Sequence, residues 1–228
     1  MLNASPIVRL GRGDCLQLMR ELPDESVNAV VTDPPYGMNF LSQRSPKDKQ
    51  KRRLSGDDKP FIWFLHDAFR VTAEGGCLVC FTDWKNQETW RVAIECAGWT
   101  VKSHCIWDRV IHGMGDLKGS FAPLHDVFWF AVKGAGFEFP DKRPKSVLRH
   151  QRVGPSETPH PTAKPVPLMS DIVAAVSRPG DVILDPFMGT GSTGVAALEL
   201  GRSFYGIELD SEYYRFACGQ LQSRGVMV

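Results

Sequence analysis

The chain has 228 residues, 43% of them hydrophobic, and a formal net charge of +1. It is long enough to bury one sizeable core, and no global charge advertises a polyanionic partner. It lacks any run of 18 apolar residues and the basic-then-apolar layout of a signal peptide, so a soluble, cytoplasmic protein is expected.

Residues 7–11 read as a first strand and 14–21 as a short helix, with Leu16, Leu18, Met19 and Leu22 apolar. Residues 27–32 form a buried strand that ends at Asp33. Phe61, Phe64, Leu65 and Phe69 recur at helical spacing over 60–71. A strand over 76–82, a helix over 85–97 and a strand over 99–107 follow, and 125–132 is expected as the antiparallel partner of the last. The C-terminal part alternates again: helix 166–177 after a proline start, strand 181–185, helix 192–200, strand 203–208, helix 212–223. This alternation predicts an α/β sheet in a single domain over 1–228. Cys77 and Cys80 hint at zinc or redox chemistry, but they lie inside the 76–82 strand. Their odd offset sends the two thiols to opposite faces, so no metal site is expected. The remaining cysteines, at 15, 96, 105 and 218, follow no disulfide-scaffold spacing.

Three stretches resist this reading. Residues 41–59 have no apolar period and form a basic loop carrying Arg44, Lys47, Lys49, Lys51, Arg52 and Arg53. Residues 110–123 are glycine-rich and include His112, Met114 and Phe121. Residues 133–159 hold Lys142, Arg143, Lys145, Arg149, His150 and Arg152. Loops this long inside a compact domain are usually functional or disordered.

Two strand exits stand out. Asp33-Pro34-Pro35-Tyr36 follows the 27–32 strand, and Asp185-Pro186-Phe187-Met188-Gly189-Thr190-Gly191-Ser192-Thr193 follows 181–184 and opens onto a helix. Two such exits suit one site at the carboxyl edge of a parallel sheet. Gly189 and Gly191 permit close approach of a ligand to backbone, and free N–H groups at the helix start suit a carboxylate. Glu208, at the end of the next strand, is placed to accept hydrogen bonds from a ribose diol. A glycine loop plus an acid is shared with nicotinamide-binding enzymes, so an oxidoreductase stays open on these residues alone. Asp14, after the first strand, is equally a helix N-cap. His160-Pro161-Thr162-Ala163-Lys164-Pro165 reads, on its own, as a proline-stiffened lead into the next helix.

Taken in this order, the Asp-Pro-Pro-Tyr, His-Pro-Thr-Ala-Lys-Pro and Asp-Pro-Phe-Met-Gly-Thr-Gly segments resemble those of the DNA amino-methyltransferases. These modify adenine N6 or cytosine N4, and the order matches the permuted, beta-type arrangement. The resemblance implies a Rossmann-like fold with a mostly parallel sheet, one antiparallel strand and helices on both faces. It implies S-adenosyl-L-methionine as cofactor, held by Asp14, Cys15, Asp33, His160, Thr162, Lys164, Asp185, Phe187, Gly189, Thr190, Gly191, Ser192, Thr193 and Glu208. Within that set Asp14 is implied as the partner of the cofactor's adenine amino group. The catalytic set it implies is Asp33, Pro34, Pro35 and Tyr36.

The chemistry suits those residue types. An exocyclic amino group is a poor nucleophile because its lone pair is delocalised into the ring. Asp33 and the Pro34 carbonyl offer two fixed acceptors for its N–H bonds and stabilise positive charge growing on nitrogen. The prolines stiffen the loop, and Tyr36 offers a ring on which an extruded base stacks. Asp33 favours adenine N6; cytosine N4 enzymes more often begin the motif with serine. Carbon-5 cytosine methylation is excluded by the absence of Pro-Cys. A non-catalytic DNA-binding subunit is a reading from another class, opposed by intact Asp33 and Tyr36. DNA is the expected partner: the basic loop at 44–53 suits phosphates, though a solvated charged loop has the same composition. Residues 110–123 and 133–159 are candidate recognition segments, the latter through Lys142, Arg143, Lys145, Arg149 and Arg152. The resemblance also implies a homodimer.

Overall fold

A computed structural model describes residues 6–36, 59–113, 117–154 and 163–225. The His160 and Thr162 expectations, the basic loop at 44–53 and Met114 lie outside the described residues.

Among the described residues fourteen elements follow in chain order: β1 (Val8–Arg12), α1 (Cys15–Arg20), β2 (Val27–Thr32), α2 (Leu65–Val71), β3 (Thr72–Thr82), α3 (Gln87–Cys96), β4 (Thr100–Asp108), β5 (His125–Val132), β6 (Val147–Arg149), α4 (Val166–Val176), β7 (Val182–Asp185), α5 (Ser192–Glu199), β8 (Ser203–Glu208) and α6 (Ser211–Gln222). The strands form one sheet in the order β1-β8-β7-β2-β3-β5-β4-β6. Among the described strands β5 alone runs antiparallel to its neighbours β3 and β4, and the other strand pairings are parallel. That is the mostly parallel sheet with one antiparallel strand expected above.

Alternation along the strands divides the core between two faces. Ala29, Val31, Val79, Phe81 and Ile183 pack under α4, α5 and α6 through Leu168, Ile172, Val195, Ala196, Ala217 and Leu221. Val27, Val30, Leu78, Cys80 and Leu184 pack under α1, α2 and α3 through Met19, Leu65, Ala68, Trp90 and Ile94. Cys77 joins the first cluster and Cys80 the second, as the odd offset requires. Each fully buried large apolar side chain contributes about 1.5–3 kcal/mol relative to exposure, and the helices on both faces keep these strand side chains from water.

Strand β3 starts at Thr72, four residues before the expected 76–82 strand, and two further local expectations change. The helix expected over 60–71 begins only at Leu65. Pro60 bridges to Tyr36, and the Phe61 N–H donates to the Pro35 carbonyl at 3.1 Å. Pairing with the Asp33–Tyr36 loop overrides the local helical pattern at 60–61. The second change is β6, a three-residue edge strand inside the 133–159 stretch, too short and too exposed to leave a period in the sequence. The parallel strands β1, β8, β7, β2 and β3 all end at one edge, which brings Asp33, Asp185 and Glu208 to the same rim.

Candidate active site

Asp33 leaves β2 half-buried, and both its carboxylate oxygens are occupied. The Tyr36 hydroxyl donates to Oδ1 and the Lys164 ammonium to Oδ2. Lys164 is buried, pairs with Asp33 and lies over the rings of Phe81 at 4.8 Å and Tyr36 at 5.7 Å. Burial, then the neighbouring Asp33 charge, pushes the Tyr36 phenol well above its ordinary pKa. The phenol therefore stays protonated and donates to Asp33. The Asn86 amide holds the Tyr36 carbonyl at 3.2 Å and also donates to Asp83 Oδ2 at 3.2 Å. Neither Asp83 nor Asn86 was singled out from the sequence. Their signal was their place immediately after β3, a third exit at the same edge.

Asp185 is buried beneath the glycine loop. Its Oδ1 accepts from the Thr32 hydroxyl at 2.8 Å and the Phe187 N–H at 3.1 Å, and its Oδ2 from the Thr193 hydroxyl at 2.6 Å. It thus ties the end of β2, one residue before Asp33, to the first turn of α5. Burial pushes its carboxyl up to about 7, against the three donors.

The loop above it needs glycine for a stated reason. Gly191 is the N-cap of α5 at φ +87°, where an L side chain is strained, and a Cβ there would sit 3.1 Å from Ala217 Cβ. The Gln220 side chain secures the Thr190 carbonyl at 2.8 Å. Phe187 packs edge-on against Phe61 and Phe64, with centroids 5.8 and 5.0 Å apart.

Glu208 ends β8 with Oε2 accepting the Gly189 N–H at 2.9 Å and Oε1 the Asp210 N–H at 2.7 Å. Burial, the largest influence, raises its pKa. An ionised carboxylate has about four acceptor sites, so each oxygen keeps one for a vicinal diol. That pair of acceptors fits the ribose diol of an adenosyl cofactor. Asp14 caps α1 through the Leu16 N–H at 2.8 Å, and the preceding Gly13 N–H donates to the Glu208 carbonyl at 3.0 Å. Cys15 is buried against α1's apolar neighbours, and burial pushes its thiol up to about 12, so it is present as an uncharged thiol.

Lys164 connects this centre to a cleft of about 670 Å³. Thr190 and Ser192 of the glycine loop line one side; Ile111, Gln151 and Arg152, from the two candidate recognition segments, line another. Within 133–159, Lys142, Arg143, Lys145 and Arg149 are exposed. Arg149 reaches Asp108 at 3.5 Å, and His150 reaches Asp171 at 2.8 Å.

The chain is similar to several known proteins. The sequence profile described as DNA methylase matches residues 27–218. DNA adenine methyltransferase YhdJ of Escherichia coli (strain K12) is 28% identical over 251 residues, covering 92% of this chain and 81% of YhdJ. The crystal structure of the M1.HpyAVI–SAM complex superposes with a TM-score of 0.73 at 24% identity, covering 94% of this chain and all of that one. PvuII DNA methyltransferase, cytosine-N4-specific, superposes with a TM-score of 0.75 at 16% identity, covering 94% and 86%. These two likenesses establish the fold, and the profile match over most of the sequence places the chain in the N6/N4 DNA methylase family.

Proposed function

We propose that this chain is a single-domain DNA methyltransferase that moves a methyl group from S-adenosyl-L-methionine to adenine N6. The observation that carries the reading is Asp33. Its carboxylate is held by Tyr36 and Lys164 at the edge where Glu208 and the glycine loop also emerge. Adenine is favoured over cytosine by the aspartate at the head of the tetrapeptide and by the likeness to YhdJ. The cytosine-N4 specificity of PvuII, which shares the fold, makes cytosine N4 the second reading.

In this reading Glu208 binds the ribose diol, and Gly189 to Thr193 receive the methionine end. Bound there, the cofactor supplies an electrophilic methyl group. The Asp33 carboxylate and the Pro34 carbonyl accept the two N–H bonds of the target amino group and aim its nitrogen. As nitrogen gains positive charge, the two acceptors stabilise it more strongly than in the ground state. Tyr36 offers its ring to the extruded base while its hydroxyl keeps Asp33 oriented. Arg152 in the cleft and the exposed bases at 142–149, with the 44–53 loop, suit the phosphates of DNA.

The test is expression in a host lacking adenine methylation, followed by modified-base sequencing of its genome. N6-methyladenine in a defined context supports the proposal. N4-methylcytosine moves the chain to the second reading, and an unmodified genome from well-folded, cofactor-binding protein overturns both.

The ribose assignment makes a separate prediction. Glu208→Ala removes the diol's acceptors and the bonds to Gly189 and Asp210. Adenosylmethionine affinity is expected to fall by about 10-fold or more, since a hydrogen bond to a charged group is worth about 1.5–3 kcal/mol. Calorimetric titration checks it; equal affinities in a folded variant would remove Glu208 from the site.

A further inference from the structure

The resemblance places Lys164 in the cofactor-binding set together with Asp33, and in the structure its ammonium is directed at Asp33. It is 7% exposed, its Nζ donates to Asp33 Oδ2, and it lies 3.4 Å from the Tyr36 hydroxyl. The rings of Phe81 and Tyr36 cover it. Resting on the methyltransferase reading above, we propose that Lys164 is a positioning residue. It fixes the plane of the Asp33 carboxylate so that the remaining lone pairs face the target amino group.

The physical case rests on what each donor does. A carboxylate held at one oxygen still pivots about its Cβ–Cγ bond. Tyr36 on Oδ1 and Lys164 on Oδ2 pin both ends and leave further acceptor capacity on each oxygen. Lys164 immediately precedes Pro165, the N-cap residue of α4, so its backbone is anchored to the sheet-covering helix. The charge of the ammonium works in the opposite direction. It partly neutralises Asp33 and repels a cation growing on the target nitrogen. Orientation must therefore outweigh repulsion if Lys164 helps the reaction, which gives the proposal a sign that experiment can reverse. A merely cofactor-binding lysine makes a different prediction, because its loss would be cured by excess cofactor.

Lys164→Met, Lys164→Arg, Asp33→Asn and the Asp33→Asn/Lys164→Met double variant form the test set. Calorimetry gives adenosylmethionine affinity, and methyl transfer is measured with DNA and cofactor both saturating. Thermal midpoints are measured on cofactor-free protein. Lys164→Met is expected to lower saturated turnover by about 10²-fold, the size of effect that an ångström of misplacement produces. Its cofactor affinity should remain close to wild type, and Lys164→Arg should recover part of the rate. Asp33→Asn strands a buried ammonium and should lower the thermal midpoint; adding Lys164→Met removes that charge and should raise it again.

Weakened cofactor binding with normal saturated turnover would return Lys164 to the cofactor pocket and overturn the proposal. Faster turnover in Lys164→Met would show that repulsion dominates, and additive midpoint shifts would show that the pair does not exist. Should the wild type methylate no DNA, the methyltransferase reading fails, while the midpoint cycle still decides whether Lys164 holds Asp33.

Discussion

Asp33→Asn is expected to lower methyl transfer at saturating DNA and cofactor by about 10²–10³-fold, the usual loss when one preorganised polar group is removed from a developing charge. The substitution preserves size but replaces a charged acceptor with an amide whose NH2 end donates. Turning the amide presents its oxygen, a weaker, uncharged acceptor that stabilises a cation less. The same turn must also satisfy the Tyr36 hydroxyl and the Lys164 ammonium, and a single amide oxygen cannot serve both and the target. On the proposed mechanism the interaction strengthens in the transition state, so turnover should fall far more than DNA or cofactor affinity. Circular dichroism alongside separates this loss from unfolding. Tyr36→Ala differs, because it removes the stacking ring and the hydroxyl that orients Asp33, so nucleotide binding and rate should fall together. Near-normal turnover in Asp33→Asn would sink the mechanism.

The centre of the sheet was legible in the sequence because β2, β3, β5 and β7 are largely buried on both faces and read as apolar runs. Strands β2, β5 and β8 fall at the expected residues, and β5 pairs with β4 as anticipated. Where the sequence misled, a tertiary partner decided the local structure. Residues 60–61 have helical spacing but serve the Asp-Pro-Pro-Tyr loop instead. At the site, motif order identified which segments converge, whereas the direction of each side chain was a matter of three-dimensional pairing. Asp185 belongs to the glycine-loop motif, yet it points into the protein and binds two threonine hydroxyls. Lys164 belongs to the segment that the resemblance associates with cofactor, and its ammonium pairs with Asp33. Asn86, which holds the Tyr36 carbonyl, carries no motif at all.

The buried Asp185 carries the second large expected effect, one that depends on pH. Its carboxyl is pushed up to about 7 from an ordinary 3.8 by burial, and the donors Thr193, Thr32 and Phe187 only partly offset this. The folded protein therefore holds this proton more tightly than the unfolded chain between about pH 4 and pH 7. Stability contributed by the protonated group is full below that window and declines as pH rises through it, by roughly 4 kcal/mol at most. Asp185→Asn is neutral throughout, so it escapes that decline. It also has one acceptor oxygen where three donors converge, which makes it the less stable protein at acid pH. Thermal midpoints of both proteins from pH 5 to pH 8 should thus shift progressively in favour of the variant, by up to roughly 10 °C for a chain of this size. Parallel midpoint curves would mean that Asp185 stays ionised across the range, held so by its hydroxyl donors rather than neutralised by burial. The same variant should slow methyl transfer even where it is the more stable protein. Thr32, which Asp185 anchors, immediately precedes Asp33, and on the proposed mechanism a loosened β2 exit lets the Asp33 carboxylate drift from the target amino group.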